Sequence, residues 1–168
     1  MSTAKSNINR VWALIKDIGI AQVVTHDGDP EALRARPMAA HPDSRDNAIY
    51  FLTDADSPKD EAVRRNNAVC LAFSDVKRQR YVSVTGHADV SNDRAMIGRL
   101  WSAADKAFWR DENDPRIRLF RVVPTAAEFW ESPGFIVASV KMIAARVTGA
   151  RPNFHANAKV EFSHAPGD

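Results

Sequence analysis

The chain has 168 residues, 45% hydrophobic and 26% charged, with a formal net charge of +2. That balance excludes a disordered chain, which could not bury enough apolar surface to fold, and it is too weakly basic for a generic nucleic-acid binder. Its apolar runs fall well short of the roughly 20 residues a membrane-spanning helix needs. The length suits one domain spanning residues 1–168. The start, "MSTAKSNINRVWALIKDIG", lacks the continuous apolar segment of a signal peptide, so a cytoplasmic protein is expected. Cys70 is the sole cysteine and reads, within "AVCLAF", as a buried thiol.

In chain order, Ile8, Val11, Trp12, Ile15 and Ile18 recur at helical spacing and predict an amphipathic helix over 7–18. "IAQVVTHDG" and "ALRARPMAAH" read as strands joined by a turn at Asp27-Gly28-Asp29-Pro30, and "HPDSRDN" reads as the next turn. "AIYFLTD" is a third strand. "ADSPKDEAVRRN" then starts a helix, with Ser57 as N-cap, Pro58 at the first helical position and acidic residues in the first turn. "AVCLAFSD" is a buried strand. "QRYVSVTGHADVS" alternates as a long one, with Gly86 marking a bulge or bend. Asn92 or Asp93 caps a helix carrying Ala95, Met96, Ile97, Leu100 and Trp101. "KAFWRDENDPR" is an irregular connection bearing two exposed aromatics. "IRLFRVVPTAAEFWE" is a strand interrupted by Pro124, hence an edge or a bulge. "GFIVASVKMIAARVTG" predicts a helix from about 134, ended by Gly149, and "NFHANAKVEF" a short strand. Strands outnumber helices and their connections are short. This predicts a mainly β antiparallel barrel or sandwich decorated by helices. No glycine-rich phosphate loop of the parallel α/β class occurs.

Two neighbouring stretches carry the chemistry. "RARPM", residues 34–38, places guanidinium groups and a proline in one strand. "FLTDADSPKD", residues 51–60, is a strand-to-helix junction. Helix N-termini present free N–H groups and a positive dipole end, which suit an anion. Thr53 and Ser57 add hydroxyl donors. Lys59 opposes the dipole in the first turn, a placement an intervening phosphate would explain, and Arg36 can add a bidentate contact. A capped surface helix with solvated charges fits the same residues.

"RARPM", "IYFLTDADSPKDEAV", "RQRYVSVTGHADV" and "LFRVVPTAAEFWE", in this order, resemble the FMN-binding split-barrel family that includes pyridoxamine 5′-phosphate oxidase. Within it the chain is most similar to the general stress protein 26 group, over residues 8–132. The resemblance implies a six-stranded antiparallel split β-barrel of Greek-key type. It also implies a homodimer with FMN, or FAD or another flavin, at the subunit interface. It sets Arg36, Pro37 and Met38 along the flavin and matches Thr53, Ser57 and Lys59 to phosphate-binding positions. Phe51 is counted with them. Tyr81 falls at a position contacting the flavin ring, and Trp130, in "EFW", at a tryptophan reaching the cofactor. Trp109 lies in the aromatic loop that covers the partner's flavin. An apolar helix at 135–148 and aromatics at 108–109 independently call for a covering subunit.

The sequence also departs from that pattern. The Arg-x-His-type segment that holds the oxidase's substrate is replaced by "ESPGFIVASVKMIAARVTG", so oxidation of pyridoxamine 5′-phosphate is not expected. Pro58 stands where the family has a second phosphate-site cation, and "WRDENDP" replaces a Pro-Gly-Gly-like turn. His26, His41, His87, His155 and His164 show no metal-ligand spacing, and Ser83 and Ser139 sit in no nucleophile turn. A flavin would itself supply the redox chemistry, leaving no catalytic residue to read. Three readings follow: a flavin-dependent oxidoreductase with a small-molecule partner, a non-catalytic flavin carrier, store or sensor, and a split barrel that has lost FMN.

Overall fold

The computed structural model describes residues 3–27, 29–55, 63–132 and 156–162. Helix α1 (Thr3–Ile18) turns Val11, Leu14 and Ile15 inward, so its apolar stripe caps one end of the core. It starts four residues before the periodic segment, because Thr3–Ser6 contains no helix breaker. Gly19 ends it at φ +74°, its N–H donating to the Ile15 carbonyl at 2.9 Å, a left-handed closure that glycine adopts without strain.

The strands are β1 (Ile20–Asp27), β2 (Asp29–Ala39), β3 (His41–Asp43), β4 (Ala48–Asp54), β5 (Ala68–Asp75), β6 (Arg80–Ser91), β7 (Ile117–Glu131) and β8 (Ala156–Glu161). Helix α2 (Arg94–Leu100) and a 3-10 turn (Ala103–Ala107) lie between β6 and β7. All pairings are antiparallel, in the order β2-β1-β5-β6-β7-β4-β3, with β8 added along β7. The six long strands make the split barrel. β3 and β8 bring the sheet to eight rather than six. β3 forms where the sequence reads as a turn: residues 41–43 pair with 48–50, and the chain reverses through 44–47. Asp43 Oδ1 accepts the N–H groups of Arg45 and Asp46, and Asn47 takes φ 47°. Residues 63–65 are helical. The rest of the helix expected from Ser57, and the one expected at 135–148, lie outside the described residues.

Inside the barrel Val23, Phe51, Leu71, Phe73, Val84, Phe120 and Val122 are buried together. A second cluster lies outside it, where Ala48, Tyr50 and Leu52 of β4 meet Ile97 of α2, Trp109, Ile117 and Leu119. β4 is covered on both faces, which is why "AIYFL" is apolar without alternation. Pro124 sits at a bulge rather than an edge. Register shifts between Thr85 and Gly86, the β4 ladder ends at Val122, and the β8 ladder begins at Ala126. The proline therefore falls in a gap where no ladder N–H is required. Asp93, not Asn92, caps α2, accepting the Met96 N–H at 3.0 Å.

Arg80 locks α1 to the β5–β6 end of the sheet, reaching Asp17 and Asp75 at 2.6 Å each. The hydrogen bond from Arg80, with the Arg78 backbone N–H second, lowers the Asp75 carboxyl from 3.8 to about 2. A carboxyl whose folded value is depressed stabilises the fold above its unfolded value, and that contribution is lost as pH falls between the two. Resistance to urea should therefore decline as pH drops from 3.8 towards about 2. Asp75→Asn should flatten that decline and lower the neutral-pH midpoint. Urea midpoints across pH 2–7 check this, and an unchanged acid limb would show that Asp75 contributes nothing.

Candidate functional site

The barrel is open where edge strand β2 approaches β4 without a hydrogen-bonded ladder. A cleft of about 250 Å³ lies in this seam. Its long sides are Pro37-Met38-Ala39 of β2 and Leu52-Thr53-Asp54 of β4. Consecutive strand residues point to opposite faces, so each side presents its backbone edge as well as side chains. The 3-10 turn and the aromatic loop close the outer end with Asp105, Phe108 and Trp109, and His41 of β3 completes the wall.

The loop is held from two directions. Asp105 accepts the Ser102 N–H at 2.8 Å and hydroxyl at 2.7 Å, a capping box on the 3-10 turn. Arg94 donates to the Asp114 and Ile117 carbonyls at 3.0 and 2.5 Å, pinning the loop's return to β7. Trp109 is thereby buried to 8% exposure against Trp101 and Phe108, contrary to the exposed residue expected, whereas Phe108 is 74% exposed. Two polar atoms at the cleft are orphaned. Thr53 Oγ1, on a side chain 3% exposed, and Trp109 Nε1 are buried without a hydrogen-bond partner. Leaving such a donor unpaired costs about 1–3 kcal/mol, so a structure that keeps one at a cleft points to a ligand. His41 has its imidazole held below the usual range by burial, against the opposing pull of the Asp105 carboxylate.

The cleft thus unites four of the sequence-selected residues: Pro37, Met38, Thr53 and Trp109. Arg36 is adjacent in β2, but its guanidinium donates to Thr25 Oγ1 at 3.1 Å on the inner face. Phe51 is fully buried against Phe120, so its side chain belongs to the core and only its backbone faces another role. Tyr81 and Trp130 are cross-strand partners on the outer face of β6 and β7, away from this cleft. Ser57 and Lys59 lie outside the described residues. Sequence reasoning missed Ala39, His41, Leu52, Asp54 and Asp105. Only the last carried a signal, the Ser102-x-x-Asp105 spacing of a helix start. Among the described residues no cluster of His, Cys, Asp and Glu is arranged to hold a metal, and no helix is long and apolar enough to cross a membrane.

The fold has counterparts among known proteins. A family model described as "Pyridoxamine 5'-phosphate oxidase like" matches residues 6–153. The chain belongs to this family. A Jannaschia sp. CCS1 structure described as general stress protein 26 shares the fold at a TM-score of 0.74 and 21% identity, covering 94% of this chain and 99% of that one. The general stress FMN/FAD binding protein of Xanthomonas citri superposes with a TM-score of 0.65 at 26% identity, over 76% of this chain and 89% of its own. Protein bli-3 of Neurospora crassa is 24% identical over 155 residues, 86% of this chain and 74% of its own length. The family's split-barrel architecture is therefore that of this chain.

Proposed function

We propose that this protein binds FMN in the seam cleft and works as a flavin-dependent oxidoreductase of the general stress protein type. The observation that carries the reading is the buried, unpartnered Thr53 hydroxyl in a cleft with aromatic and apolar walls. The flavin binding named for the Xanthomonas citri protein supports it. Bound flavin would supply electron transfer, and the chain supplies position and hydrogen bonds. Thr53, with Ser57 and Lys59 from the adjoining junction, would hold the phosphate. The β2 edge at Pro37 and Met38 would flank the ring, with Phe108 and Trp109 of the same chain over it, in place of the partner-covering role the resemblance implies for Trp109. FMN is the flavin proposed, with FAD or another flavin as the alternative.

The size of the cleft supports a homodimer. About 250 Å³ is below the roughly 300–1,000 Å³ that encloses a drug-sized ligand, so a second copy would have to complete the site. The outer face of β2, β1, β5 and β6 is suited to that copy. It carries Ala35, Val24, Cys70, Pro37, Ala72 and Ser83, with Leu33 64% and Ile20 51% exposed at its margin. A flavin carrier, store or sensor uses the same site without turnover. Pro58 and the altered loop leave a barrel without FMN as the outcome that a failed titration would establish.

The test is titration of FMN into purified protein, followed by fluorescence quenching, with light scattering on the loaded sample. One FMN bound per chain at micromolar concentration and a dimer mass are expected. No quenching would end the flavin reading, and a flavin-loaded monomer would end the interface reading. Bleaching of the bound flavin by NADH or NADPH at a catalytic rate separates the oxidoreductase from the carrier. Pyridoxamine 5′-phosphate should be a poor substrate, because the sequence after "EFW" lacks the segment that would hold it.

A further inference from the structure

The outer end of the cleft is closed by a segment with a single buried side chain. Of residues 103–113, Trp109 is buried, Asp105 is partly covered and the rest are exposed. The segment's hydrogen bonds are local. The Phe108 and Trp109 N–H groups both donate to the Asp105 carbonyl, at 2.9 and 3.0 Å. The Asn113 N–H donates to the Asp111 carboxylate at 2.9 Å, and the Asp114 N–H to the Asp111 carbonyl at 3.1 Å. Among the described residues no hydrogen bond runs from 103–113 to a residue outside 102–114. The fixed points are the segment's ends: Ser102, which follows α2, and the Asp114 carbonyl, which Arg94 holds at 3.0 Å.

We infer that residues 103–113 form a lid over the outer end of the cleft, latched by the Trp109 indole and able to open while the barrel stays folded. The latch is apolar. The indole packs in the cluster of Tyr50, Leu52, Ile97, Ile117 and Leu119, with the Trp101 ring centroid 6.5 Å away. Burying so large a ring favours the closed position. Its Nε1 opposes that gain, because it is buried with no hydrogen-bond partner and water would supply one in the open position. Two opposed contributions from one side chain leave the lid a smaller margin than the barrel has. The barrel is held differently: β7, which the segment leads into, is laddered to β6 on one edge and to β4 on the other. Lid opening breaks none of those ladder bonds, so it belongs with the local openings that cost less than global unfolding. Phe108, 74% exposed and with its ring centroid 5.8 Å from that of Trp109, moves with the latch. Lifting Asp105, Phe108 and Trp109 leaves the cleft walled by Pro37-Met38-Ala39, His41 and Leu52-Thr53-Asp54, and open to solvent at its outer end. Entry by that end therefore waits on the lid. The inference holds for whatever ligand the cleft takes and does not rest on the flavin reading.

The indole proton of Trp109 reports the lid directly, because burial alone protects it from exchange. The experiment is hydrogen exchange followed by NMR on the ligand-free wild-type protein, at several urea concentrations below the unfolding transition. The reference is the backbone amide of Phe120, in β7 between β4 and β6. Through-bond correlations assign the indole resonance in the wild type, and its absence from Trp109→Phe is a second check, so the readout does not depend on a variant folding. Each proton's protection is taken relative to its own unstructured rate. The indole should be protected, but at least about tenfold less than the Phe120 amide. Its protection should also be nearly independent of urea, because a lid opening exposes little surface, whereas that of Phe120 should fall as urea rises. A smaller difference, or indole protection that falls with urea in step with Phe120, would overturn the lid, since the segment would then open only with the barrel. An indole proton with no protection would overturn the latch, since the ring would then stand in water.

Discussion

Gly86→Ala is expected to destabilise the protein by about 3 kcal/mol. A Cβ at Gly86 would stand 2.4 Å from the Val123 carbonyl oxygen, 3.0 Å from Val122 Cγ1 and 3.1 Å from Pro124 Cα. Two of those neighbours are backbone in β7, which is paired with β6 on one side and with β4 or β8 on the other. They cannot move without breaking ladders. The site is the register shift itself: Thr85 faces Ala126 and Gly86 faces Pro124, leaving Thr125 as the extra residue. Thr125 binds the bulge in place, its hydroxyl donating to the Thr85 carbonyl at 3.1 Å. At about 2–4 °C per kcal/mol for a chain of this size, the melting temperature should drop by about 6–12 °C. Gly98→Ala is the control. A Cβ there meets only Glu112 Oε2 at 3.8 Å, and the residue lies inside α2, so alanine should stabilise by about 0.5–1 kcal/mol. Differential scanning calorimetry of the pair reads both signs. Equal behaviour would mean that the sheet yields at the bulge and that Gly86 is there for another reason.

Thr53→Val should split stability from binding. The threonine hydroxyl is buried without a partner, and valine has nearly the same shape. Removing an unsatisfied polar atom relieves a desolvation cost of about 1–3 kcal/mol, so the ligand-free variant should unfold at equal or higher denaturant than wild type. FMN affinity should move the other way. A hydrogen bond to a charged group contributes about 1.5–3 kcal/mol, or one to two orders of magnitude in the dissociation constant. Riboflavin should lose little, because it has no phosphate for the hydroxyl to meet. Urea unfolding of the free protein and paired titrations with the two flavins give the three numbers. A loss of stability would show that the hydroxyl serves the fold. Equal losses for FMN and riboflavin would move Thr53 from the phosphate to the ring.

Local pattern carried the elements with a repeating signal. The helical stripe of α1 was legible because each apolar residue had a periodic partner, and so was the alternation of β6 around Gly86. The junction after β4 reads in sequence as a candidate anion site, because hydroxyls and a lysine beside a helix start suit a phosphate, and a capped surface helix fits the same residues. What local pattern could not supply was pairing across long sequence separation. β3 has three residues, too few for a period, and exists only because residues 48–50 lie beside it. Trp109 looks exposed among charged neighbours, and its burial depends on Arg94 reaching the carbonyls of Asp114 and Ile117, more than 20 residues further on by the second of them.

The site divides in the same way. The sequence by itself determined that a strand with "RARPM" and a hydroxyl-rich junction belong to one chain of the split-barrel family. Only the tertiary structure decided which of those residues meet, because the barrel leaves β2 and β4 unpaired at the seam. That gap aligns Pro37 and Met38 with Thr53, turns Arg36 towards Thr25 and buries Phe51 in the core. It also brings in His41 and Asp105, which lie 64 residues apart in sequence and have no motif in common. A side chain's chemistry is local. Whether it faces a ligand, a core or solvent is set by which strands close the barrel.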